Sequence, residues 1–127
     1  MHYSERSGAG FPVILLHGFC QSSAYWEPTL DRLASAGRTG LAPDLPGFAG
    51  SAKLHGPYTM KAYADALARF LDAREIPRVV LVGGSMGGVV AQQFALRHPE
   101  RLVRLLLVAT GAFTADPETA LSKANSL

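Results

Sequence analysis

The chain contains a single cysteine, Cys20. No internal disulfide can form, so stability has to come from a packed core, and a lone thiol fits a reducing cytoplasm. Long apolar runs are also missing: nothing approaches the roughly 20 residues that a membrane helix needs. The opening MHYSERSGAG has no apolar stretch of the signal-peptide kind. A soluble, cytoplasmic chain is therefore expected. Nor does charge of one sign accumulate. Twelve Lys and Arg against 10 Asp and Glu leave a net charge of +2, with the basic residues scattered along the chain. Without a basic block there is no electrostatic footprint for nucleic acid or an anionic membrane, and neither is expected as a partner.

What is present suits one globular domain: 127 residues, 48% of them apolar and 17% charged. Short β-rich runs at Val13 to Leu16, Gly40 to Ala42, Val79 to Val82 and Val103 to Val108 are apolar almost throughout, as strands buried on both faces are. A weaker run, Met1 to Glu5, precedes the turn SGAGFP and predicts an edge strand. Three helical patterns alternate with these runs. The first has Ser22 or Ser23 as cap, Trp26, Leu30 and Leu33 on one face, and Gly37 as its left-handed stop. The second follows Thr59 and shows Met60, Tyr63, Ala64, Leu67 and Leu71 as a stripe, with Pro77 beyond its end. The third starts after Ser85 and stops before Pro99. Such alternation predicts an α/β fold with a mostly parallel sheet flanked by helices. Residues 1–113 read as the folded part. Residues 114–127 are small and polar and read as the start of a lid region or a frayed tail.

One stretch carries chemistry. In VVLVGGSMGGVVAQQF, Gly83-Gly84-Ser85-Met86-Gly87 fits G-x-S-x-G between an apolar strand and a helix, the context in which that motif presents a nucleophilic serine. A serine on so sharp a turn takes a strained backbone conformation. Gly83 and Gly87, lacking Cβ atoms, let strand and helix come close enough to hold it. The amide of Met86 opens the helix and is the natural first donor to an oxyanion. The same turn could merely close a tight connection or cradle a phosphate. No G-x-G-x-x-G or G-K-[S/T] spacing supports the phosphate.

A second donor is expected from PVILLHGF. If the strand of Val13 lies beside that of Val79, with that of Gly40 on its far side, both loops open into one crevice at the carboxyl ends of the strands. Gly18 would then let the amide of Phe19 reach the oxygen that Met86 reaches. His17 is expected to hydrogen-bond the backbone of this loop and Cys20 to fill space; base and reactive thiol are the respective alternatives.

LLHGF, DLPGFAGS at Asp44 to Ser51 and VGGSMGG, in that order, resemble the α/β-hydrolase family, in particular its esterases, lactonases and carbon–carbon bond hydrolases. The resemblance implies a Ser85 nucleophile, an oxyanion hole from the Phe19 and Met86 amides, a structural turn from Asp44 to Gly50, and a small ester, lactone or related carbonyl substrate. It implies no cofactor and no metal. Gly84 stands where many members carry His, and Ala49 where a glycine is frequent. Serine instead of aspartate at the nucleophile position argues against the dehalogenase and epoxide-hydrolase branches.

Serine needs a base, and the base an orienting acid. His98, the only histidine after Ser85, sits at the far end of the helix that starts there, and Glu100 shares its place. His2 and His55 precede the serine, and Asp116 follows the last strand without a histidine to orient. The resemblance implies members about twice as long, whose remaining part holds lid, last strands, acid and histidine. This chain is expected to be the N-terminal portion, truncated after the strand that follows the nucleophile helix. Its last strand would present an open apolar edge, a surface for association with a partner.

Overall fold

The computed structural model describes residues 1–18, 21–46 and 59–108. Five strands form one sheet: β1 (Tyr3–Arg6), β2 (Ala9–Leu16), β3 (Arg38–Pro43), β4 (Val79–Gly84) and β5 (Leu102–Val108). Their spatial order is β1-β3-β2-β4-β5. β1 runs antiparallel to β3, and every other pair is parallel. The expected neighbours are in place: β2 lies between β3 and β4, and the N-terminal segment is an edge strand.

β2 begins four residues before Val13, so most of the expected SGAGFP turn is strand. Ala9 pairs with Arg38, and an irregularity separates that pair from Val13 and Gly40. Gly10 takes φ 79° there, the positive φ by which glycine often accommodates a bulge. Exposed residues containing Gly and Pro give no strand pattern, and it is the start of β3 that recruits them, through Ala9 N–H to the Gly37 carbonyl at 2.8 Å.

Three helices pack on this sheet: α1 (Glu27–Ser35), α2 (Met60–Ala73) and α3 (Met86–Arg97). The first expected helix is split. Ser22 caps a 3-10 turn, Ser23–Trp26, accepting from Ala24 N–H, and the α-helix starts only at Glu27, with Pro28 in its first turn. A proline deeper inside a helix would clash with the preceding turn and lack its N–H; near the start both costs vanish. α2 follows the sequence closely, with Thr59 Oγ accepting from Ala62 N–H at 3.0 Å. It ends at Ala73, and Glu75 takes φ 57° in the turn that follows, well before Pro77.

Alternation along β2 divides the core. Ile14 and Leu16 face α2 and α3, in a cluster with Leu41, Leu67, Leu81 and Phe94. Val13 and Leu15 face the opposite way, against Trp26, Leu30 and Ala42. Burying each such aliphatic side chain contributes about 1.5–3 kcal/mol. The second face is less complete: Val80 and Val82 are only partly covered. Among the described residues β5 pairs with β4 alone, and Leu105, Leu106, Leu107 and Val108 on it are 36–52% exposed.

Candidate active site

The carboxyl ends of β2, β3 and β4 bring three loops to one side of the sheet. Ser85 follows β4 directly and precedes the first residue of α3, with φ 53° and ψ −120°. For a residue with a Cβ this backbone is strained, by about 1–3 kcal/mol. Two contacts hold it: Ser85 N–H donates to the Val108 carbonyl at 3.0 Å, and Gly88 N–H donates to the Ser85 carbonyl at 3.0 Å. Met86 is the first residue of α3, where amides have no acceptor within the helix.

Glycine is a geometric necessity on both sides of the serine. A Cβ on Gly83 would stand 2.4 Å from the Gly87 carbonyl oxygen, and one on Gly87 would stand 2.4 Å from the Leu16 oxygen. At Gly84 the nearest atom would be Trp26 Cζ2 at 3.5 Å, so this position accommodates larger residues. β2 and β4 are in register at Leu16 and Gly83, which carries Gly18 to the level of Ser85. A Cβ on Gly18 would lie 3.2 Å from Ser85 Cβ. Phe19 and Cys20 lie outside the described residues.

His17 is fully buried. Its Nε2 accepts from Leu45 N–H at 2.9 Å, which leaves the ring proton on Nδ1, 2.8 Å from the Gly18 carbonyl. Both nitrogens serve the loop, as expected, and neither is available as a base. Gln21 Oε1 accepts from Gly18 N–H at 2.8 Å. Asp44, 1% exposed, accepts from Ser23 N–H at 2.6 Å through Oδ1 and lies 2.6 Å from His2 Nδ1 through Oδ2. Sequence reasoning placed Asp44 only in a turn and missed Gln21. Neither the buried carboxylate nor the amide bridge has a spacing that would reveal it.

The other candidate acids and bases are elsewhere. α3 carries His98 roughly 18 Å along its axis from Ser85. There it meets Asp65 at 3.2 Å and packs against the Phe94 ring. Arg97 also holds Asp65, at 2.8 and 2.9 Å, and chiefly through these bonds keeps that carboxyl below the ordinary range. His2, at the outer edge of the sheet, is three strands from β4, roughly 14 Å. His55 and Asp116 lie outside the described residues. Among the described residues no group of three His, Cys, Asp or Glu could hold a metal ion, and no helix is long and apolar enough to cross a membrane. A concavity of about 650 Å³, lined by Ile76, Pro77, Arg78 and Arg101 among others, lies at the opposite ends of β4 and β5.

Residues 12–126 match the family model of the alpha/beta hydrolase fold. The chain is 39% identical over 108 residues to the 2-hydroxymuconate semialdehyde hydrolase of a Pseudomonas species, covering 82% of this chain and 38% of that enzyme. A thermophilic esterase from Thermogutta terrifontis superposes with a TM-score of 0.82 at 36% identity, over 98% of this chain and 44% of the esterase. The epoxide hydrolase CorEH superposes nearly as well, with a TM-score of 0.81 at 28% identity, over 98% of this chain and 45% of CorEH. Shape alone therefore does not separate the branches of the fold; the argument against an epoxide hydrolase rests on the residue at position 85. The chain spans roughly a third to two fifths of the length of the curated relatives it matches. With residues 12–126 matched by the family model, the chain belongs to the α/β-hydrolase family.

Proposed function

We propose that this chain supplies the nucleophile and oxyanion-binding part of a serine hydrolase acting on a small ester, lactone or related carbonyl compound. The observation that carries the reading is the backbone of Ser85: a φ of 53° at a strand-to-helix junction, held by glycines whose neighbours leave no room for a side chain. Strain of this kind persists only where the surroundings enforce it, and it concentrates at functional sites. In the reaction, Ser85 Oγ attacks the carbonyl carbon while a base takes its proton. The carbonyl oxygen becomes an oxyanion facing the amides of Met86 and Phe19. Collapse expels the alcohol, which takes the proton from the base, and water then releases the acid from acyl-Ser85. No cofactor enters these steps.

Base and acid come from polypeptide beyond the described residues. His17 is committed to its loop, while His2 and His98 lie too far away. The relatives' additional length is the natural source, and the chain by itself is expected to turn over very slowly. The test is labelling with a fluorophosphonate followed by mass mapping of the adduct. Ser85→Ala is expected to abolish labelling and Cys20→Ala to leave it; an adduct on any residue other than Ser85 refutes the assignment.

A second reading, a catalytically silent half-domain that acts by association, is favoured by one observation: Leu105 to Val108 are exposed on β5, which among the described residues pairs only with β4. An apolar edge strand of this kind is a template for another chain. An unlabelled Ser85 in a folded, partner-bound chain supports this alternative.

A further inference from the structure

The geometry points to Asp44 as a positioning residue for the loop that carries the proposed oxyanion donor, acting with His17 as a two-point clamp built from the end of β3. This inference rests on the serine-hydrolase reading above. The chain leaves β2 at Leu16 and enters the next turn at Ser23. Consecutive residues past the end of β3 hold the two ends of that connection. Leu45 N–H donates to His17 Nε2 at its start, and Asp44 Oδ1 accepts from Ser23 N–H at its finish. Gln21 ties the middle together, accepting from Gly18 N–H with its side chain while its own amide donates to the Gly18 carbonyl at 3.2 Å. The product of these bonds is the placement of Gly18 against Ser85, where a Cβ would stand only 3.2 Å from Ser85 Cβ.

Asp44 is more than a helix cap. Ser22 already caps this 3-10 turn in the ordinary way. A carboxylate buried to 1% exposure is costly unless its oxygens are satisfied. Here one oxygen takes the Ser23 amide, and the other faces the half-exposed His2, which fixes the plane of the carboxylate so that Oδ1 faces Ser23. Hydrogen bonds to a charged acceptor are about twice as strong as neutral ones. The connection between β3 and the loop is therefore stiff. Its function is to keep the loop in register with the elbow, since a misplacement of about 1 Å at a reacting centre costs about 100-fold in rate.

The test uses the chain co-expressed with the C-terminal part of a longer relative, which supplies the base, and a fluorophosphonate, and reads the second-order rate of Ser85 phosphonylation beside the melting temperature. Asp44→Ala is expected to slow labelling about 10- to 100-fold at a temperature where both proteins are folded. Asp44→Asn, which keeps one carbonyl oxygen for Ser23, is expected to recover most of the rate. A purely structural role lowers the melting temperature and leaves the rate of the folded fraction unchanged, and that result overturns the clamp. Should Asp44→Ala fail to fold, His2→Ala decides: a several-fold slower rate supports the clamp and an unchanged rate refutes it. In that complex, wild-type protein that is never labelled at Ser85 removes the hydrolase reading and the clamp together, whereas labelled wild type with unaffected variants removes the clamp alone.

Discussion

Gly87→Ala sets two physical effects against each other. Gly87 lies in the first turn of α3, and helix propensity alone favours alanine over glycine there by about 1 kcal/mol. Packing says the opposite. The added methyl would stand 2.4 Å from the Leu16 carbonyl oxygen, 2.6 Å from that of His17 and 2.8 Å from the Leu16 carbonyl carbon. All three are backbone atoms at the end of β2, so no rotamer change relieves the clash. Ordinary contact requires α3 to retreat from β2 by about 1 Å, and α3 is anchored through Phe94, Val90 and Ala91 in the main core. Overpacking of this kind costs about 1–3 kcal/mol, more when backbone must move. With the propensity gain subtracted, a net loss of about 2 kcal/mol is expected, lowering the melting temperature by roughly 5–15 °C. Valine at the same position should cost more. Gly84→Ala is the matched control: its methyl would meet Trp26 at 3.5 Å and nothing closer, so it should be neutral or stabilising by about 0.5 kcal/mol through the unfolded chain. Thermal unfolding of the three proteins side by side is the assay. A Gly87→Ala melting temperature at or above wild type refutes the close-approach argument.

Asp65→Asn should destabilise by about 0.5–1 kcal/mol at neutral pH, the range for a partly exposed pair of good geometry. Because Arg97 lowers the folded-state pKa of Asp65, its contribution is full above the unfolded value and is lost as pH falls through the folded one; urea unfolding of wild type and variant should therefore converge in strong acid. His17→Ala leaves the Leu45 amide without its acceptor and opens a buried cavity, with an expected loss of about 2–4 kcal/mol; an unchanged urea midpoint would contradict the role assigned to His17. Ester hydrolysis by the isolated chain should stay at the level left by an oxyanion hole without a triad, about 10³- to 10⁴-fold over water. Co-expression with the C-terminal part of a longer relative should raise activity and solubility together, and recovery of one without the other would count against a shared cause.

The sheet was legible because its strands are apolar on both faces: β4 and β5 were found within a residue or two, and the order β3-β2-β4 followed from where the two glycine loops had to meet. The extension of β2 to Ala9 was not legible, since Gly8, Gly10 and Pro12 deny it any pattern and its pairing depends on Arg38, remote in sequence. The split of the first helix could have been read from Pro28. Around the elbow, the sequence displays what the backbone demands, because only glycine fits where a Cβ meets a carbonyl at 2.4 Å. The polar contacts of Asp44, Gln21 and His2 leave no such trace. Those of Asp44 join residues 21 and 42 positions apart, that of Gln21 is local, and each side chain would be equally at home on a solvated surface.

Under the serine-hydrolase reading, sheet order bears on the side from which a base would reach Ser85. Ser85 sits at the end of β4, between β2 and β5. Among the described residues the nearest histidine on the β2 side is His17, with both nitrogens engaged, and beyond it lie β3 and β1. On the β5 side, the Ser85 amide is bonded to Val108, the last residue of β5; among the described residues β5 pairs only with β4, and Leu105 to Val108 on it are exposed. The same reading expects polypeptide that delivers a base to Ser85 to pass over or beside β5. To remain there it must cover the apolar residues from Leu105 to Val108, where burying each Leu contributes about 1.5–3 kcal/mol. On that reading, the interaction that would complete the catalytic group also closes the exposed edge, which is why activity and solubility are expected to return as one event.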